Sequence, residues 1–169
     1  IFHRTKNDEE NQLKLITVLR KYRPEVVLGN VLEDRHPDHG RSAQLVEDAA
    51  FLSGLVKIET SDNGKLQDPW RPKYVFNYIQ DKYLTPNFVI DISAVMDQKI
   101  AAIKAYGTQF DSPSLNEPQT YISTPDFLDS IIYRSKMMGK MIGVKYGEGF
   151  ISSKMIGLSN FDCFIKENT

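Results

Sequence analysis

The first half of the chain alternates between segments with helical and strand-like hydrophobic patterns. Residues 8–22 predict a helix that Pro24 ends. Its apolar stripe is predicted to consist of Leu15, Val18, Leu19 and Tyr22. Residues 26–30 are apolar and β-branched, which predicts a buried strand of the parallel type. A second helix is predicted from about Arg41 to Leu55, with an inner side formed by Val46, Ala49, Ala50 and Leu52.

The second half continues this alternation with more turn and loop signals. Residues 73–79 and 88–92 predict two further strands, and Ser93 is placed to cap a helix over residues 94–106. Residues 109–120 are polar and contain prolines, which predicts a loop. Thr124 and Pro125 are typical of a helix start. The buried side of that helix is predicted to consist of Leu128, Ile131, Ile132, Met138 and Ile142, and residues 144–158 are predicted to be extended.

The order of these elements predicts an α/β fold. Helices that alternate with apolar strands are typical of a Rossmann-like, largely parallel sheet flanked by helices. In such sheets the loops at the carboxyl ends of the strands carry the ligands. His36 and His39 both follow the first predicted strand. We therefore expect the chemistry of the protein in a polar loop after that strand.

Size, charge and cysteine content narrow the class of protein. A chain of 169 residues fits one domain with a hydrophobic core. The net charge is −1, and the interspersed charges form no basic patch in the sequence that would bind nucleic acid or an anionic membrane. No apolar run is long enough to span a bilayer. A single cysteine, Cys163, predicts a reducing, cytoplasmic setting. The first residue is Ile1 rather than methionine, so the natural N-terminus is expected upstream.

The segment from His36 to His39 places two imidazoles and the carboxylate of Asp38 close together in the sequence. One imidazole could bind a metal while the other faces a substrate, and a carboxylate can fix the tautomer of a neighbouring imidazole. A catalytic zinc ion takes about three protein ligands and keeps one position for water. One short loop cannot supply all three ligands with good geometry. Taken alone, the segment is a weak signal for a metal site, because two near-adjacent histidines on a surface loop are more often solvated residues.

A longer string around the histidines resembles the second metal motif of the LmbE-like N-acetylglucosaminyl deacetylases. It reads Glu33-Asp34-Arg35-His36-Pro37-Asp38-His39-Gly40-Arg41-Ser42-Ala43. Further segments resemble the same family in the same order, namely residues 48–55, 88–93, 121–125 and 146–150. Together they extend the resemblance over nearly the whole chain. It is closest to the bacillithiol-pathway branch, whose members deacetylate N-acetylglucosaminyl malate.

The resemblance implies a zinc-dependent amidohydrolase that acts on a small sugar conjugate. It implies that His39 is a zinc ligand and that His36 faces the substrate carbonyl, as general acid or as stabiliser of the oxyanion. Asp38 would then hold a catalytic imidazole, in the first instance that of His36. Arg35 could bind the malate carboxylates, because a planar bidentate donor suits them. The alternative for Arg35 is an exposed loop arginine.

Two residues outside the histidine loop are further candidates. Tyr121 precedes the predicted helix of residues 125–142 and could donate its hydroxyl to an oxyanion. Its alternative is a half-buried tyrosine that packs a loop. Glu148 lies in a glycine-flanked strand and could bind sugar hydroxyls. A solvated glutamate on an edge strand is the alternative.

One motif of the family has no counterpart in this chain. The family's first motif, Ala-His-Pro-Asp-Asp, supplies two further zinc ligands and the general base, and no segment of the chain matches it. The simplest interpretation is a single deacetylase domain over residues 1–169 that lacks about 70 N-terminal residues. The resemblance also implies a homo-oligomer. The alternatives are a deacetylase for another N-acetylglucosamine substrate, such as diacetylchitobiose, and a non-catalytic α/β binding or scaffold domain.

Overall fold

The computed structural model describes residues 5–106 and 124–165. These residues divide into two compact units, one made of residues 5–82 and 151–165 and the other of residues 83–106 and 124–150. Both units combine helices with paired strands, and the strand pairs are both parallel and antiparallel. The predicted α/β class is therefore confirmed. The single domain over residues 1–169 stays a prediction.

The first unit is built from two long helices and a parallel strand pair. Its elements are α1 (Glu9–Tyr22), β1 (Val26–Gly29), α2 (Pro37–Leu52), β2 (Ser61–Asp62), β3 (Lys65–Leu66) and β4 (Tyr74–Tyr78). Strands β1 and β4 are parallel, with Val26 opposite Tyr74 and Gly29 opposite Asn77. Strands β2 and β3 form a short antiparallel pair. The core of the unit lies between α1, α2 and one face of the β1–β4 pair.

Helix α1 begins as predicted but buries a different face. The Asp8 side chain accepts a hydrogen bond from the Asn11 amide and so caps the first turn. The buried positions are Ile16, Leu19 and Arg20. The predicted stripe was wrong for two of its members, because Val18 is 48% exposed and Tyr22 is 72% exposed. The physical reason is the inward-pointing side chain of Arg20, a residue that a purely apolar pattern does not select.

Arg20 joins α1 to the segment that follows α2. It is 3% exposed, and its guanidinium donates to the carbonyl oxygens of Ser53 (2.9 Å), Leu55 (2.8 Å) and Ile58 (2.6 Å). It also donates to the Thr60 hydroxyl at 3.0 Å. The side chain therefore satisfies four acceptors in a segment that has no regular secondary structure of its own. Buried groups of this kind require such partners.

Helix α2 begins four residues earlier than the predicted Arg41, at Pro37. His36 is its N-cap residue, and Pro37 occupies the start of the helix, where a missing N–H costs nothing. His39 therefore lies in the first turn of α2 and not in a loop, which corrects the prediction for this residue. Ala49 and Ala50 are buried, as predicted for the inner side of the helix.

Strand β1 is parallel, as predicted, but it is only half-buried in the described residues. Val27 packs against the core beside the buried side of α1, whereas Val26 is 47% exposed and Leu28 is 62% exposed. Alternate side chains of a strand point to opposite faces. The helices α1 and α2 cover the face of Val27, so the prediction of a fully buried strand was wrong for the opposite face.

The second unit contains α3 (Met96–Lys104), α4 (Pro125–Ile142), β5 (Phe88–Asp91) and residues 147–150 of β6 (Gly147–Ser152). Strands β5 and β6 are antiparallel. Ser93 does not cap α3: the N-cap is Val95, and the Ser93 hydroxyl instead accepts a hydrogen bond from the Tyr146 amide at 3.0 Å. Helix α4 starts after Thr124 as predicted, but Ile142, predicted to be buried, is 42% exposed. The helix ends there, next to Gly143 at a φ of 75°.

Two sequence predictions concern regions with less regular structure. The predicted loop at residues 109–120 lies outside the described residues. Of the stretch 144–158, predicted to be extended, only β6 forms a strand. Within the described ranges, no helix combines the length and the apolar character that crossing a membrane would require.

Candidate functional site

The histidine segment leaves the carboxyl end of β1, beside the segment that leaves β4. Because the two strands are parallel, residues 30–39 and 79–82 begin at the same end of the pair. Two ion pairs link the two segments: Glu33 pairs with Lys82, and the Arg35 Nε lies 3.5 Å from the Asp81 carboxylate. The site is thus held from two strands, at the end of the strands that the sequence predicts.

The base of the histidine segment is fixed by two neighbouring residues of β4. Asn77 is fully buried and donates its Nδ2 to the Asn30 carbonyl at 2.7 Å. The Tyr78 hydroxyl donates to the Asn30 side-chain oxygen. Burial, and secondly the negative charge of Asp34, raise the pKa of Tyr78, so its hydroxyl keeps the proton that it donates. Sequence reasoning did not identify these residues.

His39 is held by Asp34, which lies on the segment between β1 and α2. The His39 Nδ1 is 2.6 Å from the Asp34 Oδ2, and the other carboxylate oxygen accepts the Lys82 backbone amide at 2.9 Å. Burial by itself raises the pKa of the Asp34 carboxyl, but hydrogen bonds from the Lys82 amide, the His39 ring and the Arg35 amide together lower it below its ordinary value. Asp34 is therefore an ionised, buried partner of the ring.

His36 lies next to His39, and its ring is bound in a different way. The two ring centroids are 5.5 Å apart. The His36 Nδ1 accepts the Asp38 backbone N–H at 3.2 Å, as the N-cap of α2. A neutral imidazole that accepts at Nδ1 carries its proton on Nε2. The structure thus brings together the two predicted imidazoles and gives them opposite hydrogen-bonding roles.

The carboxylate of Asp38 faces Arg41, at 3.0 Å from its guanidinium. The contact of Asp38 with His36 runs through the backbone amide and not through the carboxylate. In the described contacts, the carboxylate that binds an imidazole is that of Asp34. The catalytic role of Asp38 stays a prediction.

Of the remaining candidates, Arg35 lies in the histidine segment, where its backbone amide binds Asp34, and no described contact links Glu148 to the histidines. Arg35 has a side chain that is 57% exposed and pairs with Asp81. Glu148 lies on β6 of the second unit, where Lys99 binds its carboxylate at 2.5 Å. Tyr121 lies outside the described residues. The roles of all three residues stay predictions.

In the described residues, one side chain of the site is arranged as a metal ligand. Within the described ranges, no three His, Cys, Asp or Glu side chains are arranged to hold a metal ion. His39 has the arrangement of a single ligand, because Asp34 binds its Nδ1 and leaves the Nε2 lone pair for a metal. A zinc site would need about two more protein ligands.

The comparisons with known proteins agree with this fold. The chain is 32% identical over 143 residues to diacetylchitobiose deacetylase from Thermococcus kodakarensis, which covers 83% of this chain and 49% of that protein. The crystal structure of the conserved protein TT1542 from Thermus thermophilus matches with a TM-score of 0.75 and 31% identity, over 90% of this chain and 62% of that one. Diacetylchitobiose deacetylase from Pyrococcus horikoshii matches with a TM-score of 0.64 and 28% identity, over 86% and 52%.

No protein-family model matches the chain. The chain spans about half the length of the curated relative that it matches. The two named enzymes are carbohydrate deacetylases, so the similarity supports a relationship to enzymes that hydrolyse an amide of an N-acetylated sugar.

Proposed function

We propose that this chain carries part of the active site of a carbohydrate N-deacetylase. The enzyme would hydrolyse the N-acetyl group of a glucosaminyl conjugate and release acetate and a free amine. The observation that carries the proposal is the His39 imidazole, oriented by Asp34 and adjacent to His36 at the carboxyl end of a parallel strand pair. The similarity to two diacetylchitobiose deacetylases supports the reaction class.

The two histidines would have different roles in this reaction. Zinc, when bound, would polarise the amide carbonyl and lower the pKa of bound water. His39 would contribute one of its ligands through Nε2. His36 would donate a hydrogen bond from its Nε2–H to the developing oxyanion, since its Nδ1 already accepts the Asp38 amide. To protonate the departing amine as a general acid, the ring would first have to be doubly protonated and give up the Asp38 amide contact. General acid catalysis of this kind typically contributes about 10² to 10⁴ in rate.

The substrate proposal begins with N-acetylglucosaminyl malate. Arg35 supports it, because its partly exposed guanidinium lies near the histidines in sequence and is suited to carboxylates. Tyr121 would stabilise the oxyanion and Glu148 would bind sugar hydroxyls. Diacetylchitobiose is the second candidate, because two similar proteins are diacetylchitobiose deacetylases.

The rest of the catalytic machinery is proposed to come from other residues of the same deacetylase domain. Zinc takes about three protein ligands, and the described residues offer one good candidate. The carboxylate general base would likewise come from outside the described residues. In the alternative, a scaffold domain, His39 would bind no metal and the Asp34–His39 contact would only stabilise the start of α2.

We expect the full-length protein to release acetate from N-acetylglucosaminyl malate or diacetylchitobiose, assayed side by side. Removal of zinc with a chelator should lower the turnover by at least about a hundredfold, because the water is then no longer activated. Adding zinc back should restore activity. Full turnover by metal-free protein would refute the zinc proposal. Stoichiometric zinc without acetate release from either substrate would refute the assignment of these substrates.

We also propose that the protein self-associates through an exposed face of α4. Tyr133, Met137 and Met141 are spaced four residues apart and are 64%, 42% and 59% exposed. Acidic residues lie in the first half of this face and basic residues in the second half, namely Asp126, Asp129, Lys136 and Lys140. An antiparallel pairing of two copies about a twofold axis near Tyr133 would place opposite charges across from each other.

Replacing Met137 by glutamate is expected to convert the dimer into a monomer, because the change buries a charge in the interface. Light scattering coupled to size-exclusion chromatography measures the mass. The matched control is Met155→Glu, since Met155 is 90% exposed in the other unit and should leave the mass unchanged. A wild-type monomer would refute the self-association, and a Met137→Glu protein with an unchanged mass would show that the copies do not associate through this face.

A further inference from the structure

We propose that Asp34 is a positioning residue that fixes His39 with its proton on Nδ1 and presents the Nε2 lone pair to the metal. The inference rests on the proposed function for the identity of the bound group. Its structural basis does not depend on that function, because it concerns the imidazole tautomer of the protein itself. Asp34 would act through His39 and would not touch the substrate.

The first support is the geometry of the carboxylate. The Asp34 side chain is 1% exposed, and its Oδ2 lies 2.6 Å from the His39 Nδ1. Its Oδ1 is bound by the Lys82 backbone amide at 2.9 Å. Each oxygen thus has its own donor. Rotation of the carboxylate would exchange or break both contacts, so the oxygen that faces the ring is fixed in place.

The second support is the position of the histidine. His39 lies in the first turn of α2, and its backbone N–H donates to the His36 carbonyl at 3.1 Å. The helix start therefore sets the position of the backbone, and Asp34 sets the ring. An ionised carboxylate only accepts hydrogen bonds, so the ring nitrogen that faces it must carry the hydrogen. The side chain is 31% exposed, which leaves the ring accessible to a bound group.

The third support is the contrast between the two adjacent rings. A backbone amide donates to the Nδ1 of His36, whereas a carboxylate accepts from the Nδ1 of His39. In the neutral state, the outer nitrogen of His36 is therefore a donor and that of His39 is an acceptor. Because their Nδ1 atoms have different partners, the two histidine side chains are suited to different chemical roles. Sequence spacing alone gives no such distinction.

The experiment compares full-length wild type with Asp34→Asn, Asp34→Leu and the control Glu33→Gln. Glu33 is in the same segment, but its side chain is 65% exposed and its carboxylate pairs with Lys82. Nitrogen-15 NMR of labelled histidines in metal-free protein, at a pH where the rings are neutral, reports the tautomer of His39. Zinc titration reports the affinity. Circular dichroism checks that each variant is folded.

We expect the Nδ1–H tautomer of His39 in wild type and in Glu33→Gln. An amide has one acceptor for the two donors, and leucine has none, so the Asp34 variants should lose this preference. Their zinc affinity should fall by about 10- to 100-fold. A His39 proton on Nε2 in wild type, or an unchanged tautomer in folded Asp34→Leu, would overturn the inference. A wild type with the expected tautomer that binds no zinc would refute the proposed function and leave the Asp34 contact established.

Discussion

Replacing His39 by alanine is expected to abolish stoichiometric zinc binding and acetate release in the full-length protein. The variant removes the only imidazole whose Nδ1 is held by a buried carboxylate in the described part of the chain. Losing one of about three protein ligands from a catalytic zinc site should empty the site. By contrast, His36→Ala should keep the zinc and lower kcat by about 10² to 10⁴, because it removes the Nε2–H donor. The loss of its N-cap contact with the Asp38 amide should cost about 0.5–2 kcal/mol of stability.

Zinc content by atomic absorption and kcat by acetate release distinguish the two variants. Thermal unfolding serves as the control, since the His39 side chain is 31% exposed and its loss should leave the fold intact. If His39→Ala retains both stoichiometric zinc and full turnover, the proposed ligand is wrong. If His36→Ala loses the zinc as well, the division of roles between the two rings is wrong.

Replacing Arg20 by methionine is expected to lower the free energy of unfolding by about 1–3 kcal/mol, because buried acceptors lose a hydrogen-bond donor. Methionine can fill the space of the arginine stem, but it donates no hydrogen bonds. The carbonyls of Ser53, Leu55 and Ile58 would all lose a donor in buried or partly buried surroundings. The Ser53 and Leu55 carbonyls would keep the backbone N–H groups of Trp70 and Ile58, so in the described contacts the Ile58 carbonyl would lose its donor altogether. An unsatisfied group costs about 1–3 kcal/mol when water cannot reach it.

Urea unfolding measures this effect. Lys14→Met is the matched control, because Lys14 is on the same helix and its side chain is 64% exposed. Its ion pair in the described residues is with Glu10, one turn away. That variant should change the free energy of unfolding by less than about 0.5 kcal/mol. Equal stabilities of the two variants would show that water replaces the Arg20 hydrogen bonds.

The sequence predicted local structure best at positions where the residue type favours a single local conformation. Thr124 and Pro125 mark the start of α4, as predicted, and α1 begins directly after Asp8, at the start of the predicted range. Ser93 shows the limit of this reasoning, because its hydroxyl binds the Tyr146 amide instead of capping α3. A serine hydroxyl can serve either purpose, and a partner distant in sequence decided which one.

The candidate site was predictable in part. The sequence motif identified His36 and His39 and the end of the strand from which they start. It did not identify Asp34 as the partner of His39, nor Asn77 and Tyr78 as residues that hold the segment. Asp34 and Asp38 are both carboxylates close to the histidines, and only the turn between β1 and α2 determines which of them reaches a ring.

The sequence by itself determined the alternation of helices and strands, the α/β class and the two imidazoles. These features follow from hydrophobic periodicity and from residue types with a strong preference for one local conformation. The tertiary structure alone decided that Arg20 points into the core, that β1 is covered on one face only and that Asp34 faces His39. Each of these depends on where a distant segment lies, because the burial and the hydrogen-bond partner of a polar side chain are properties of the packed chain.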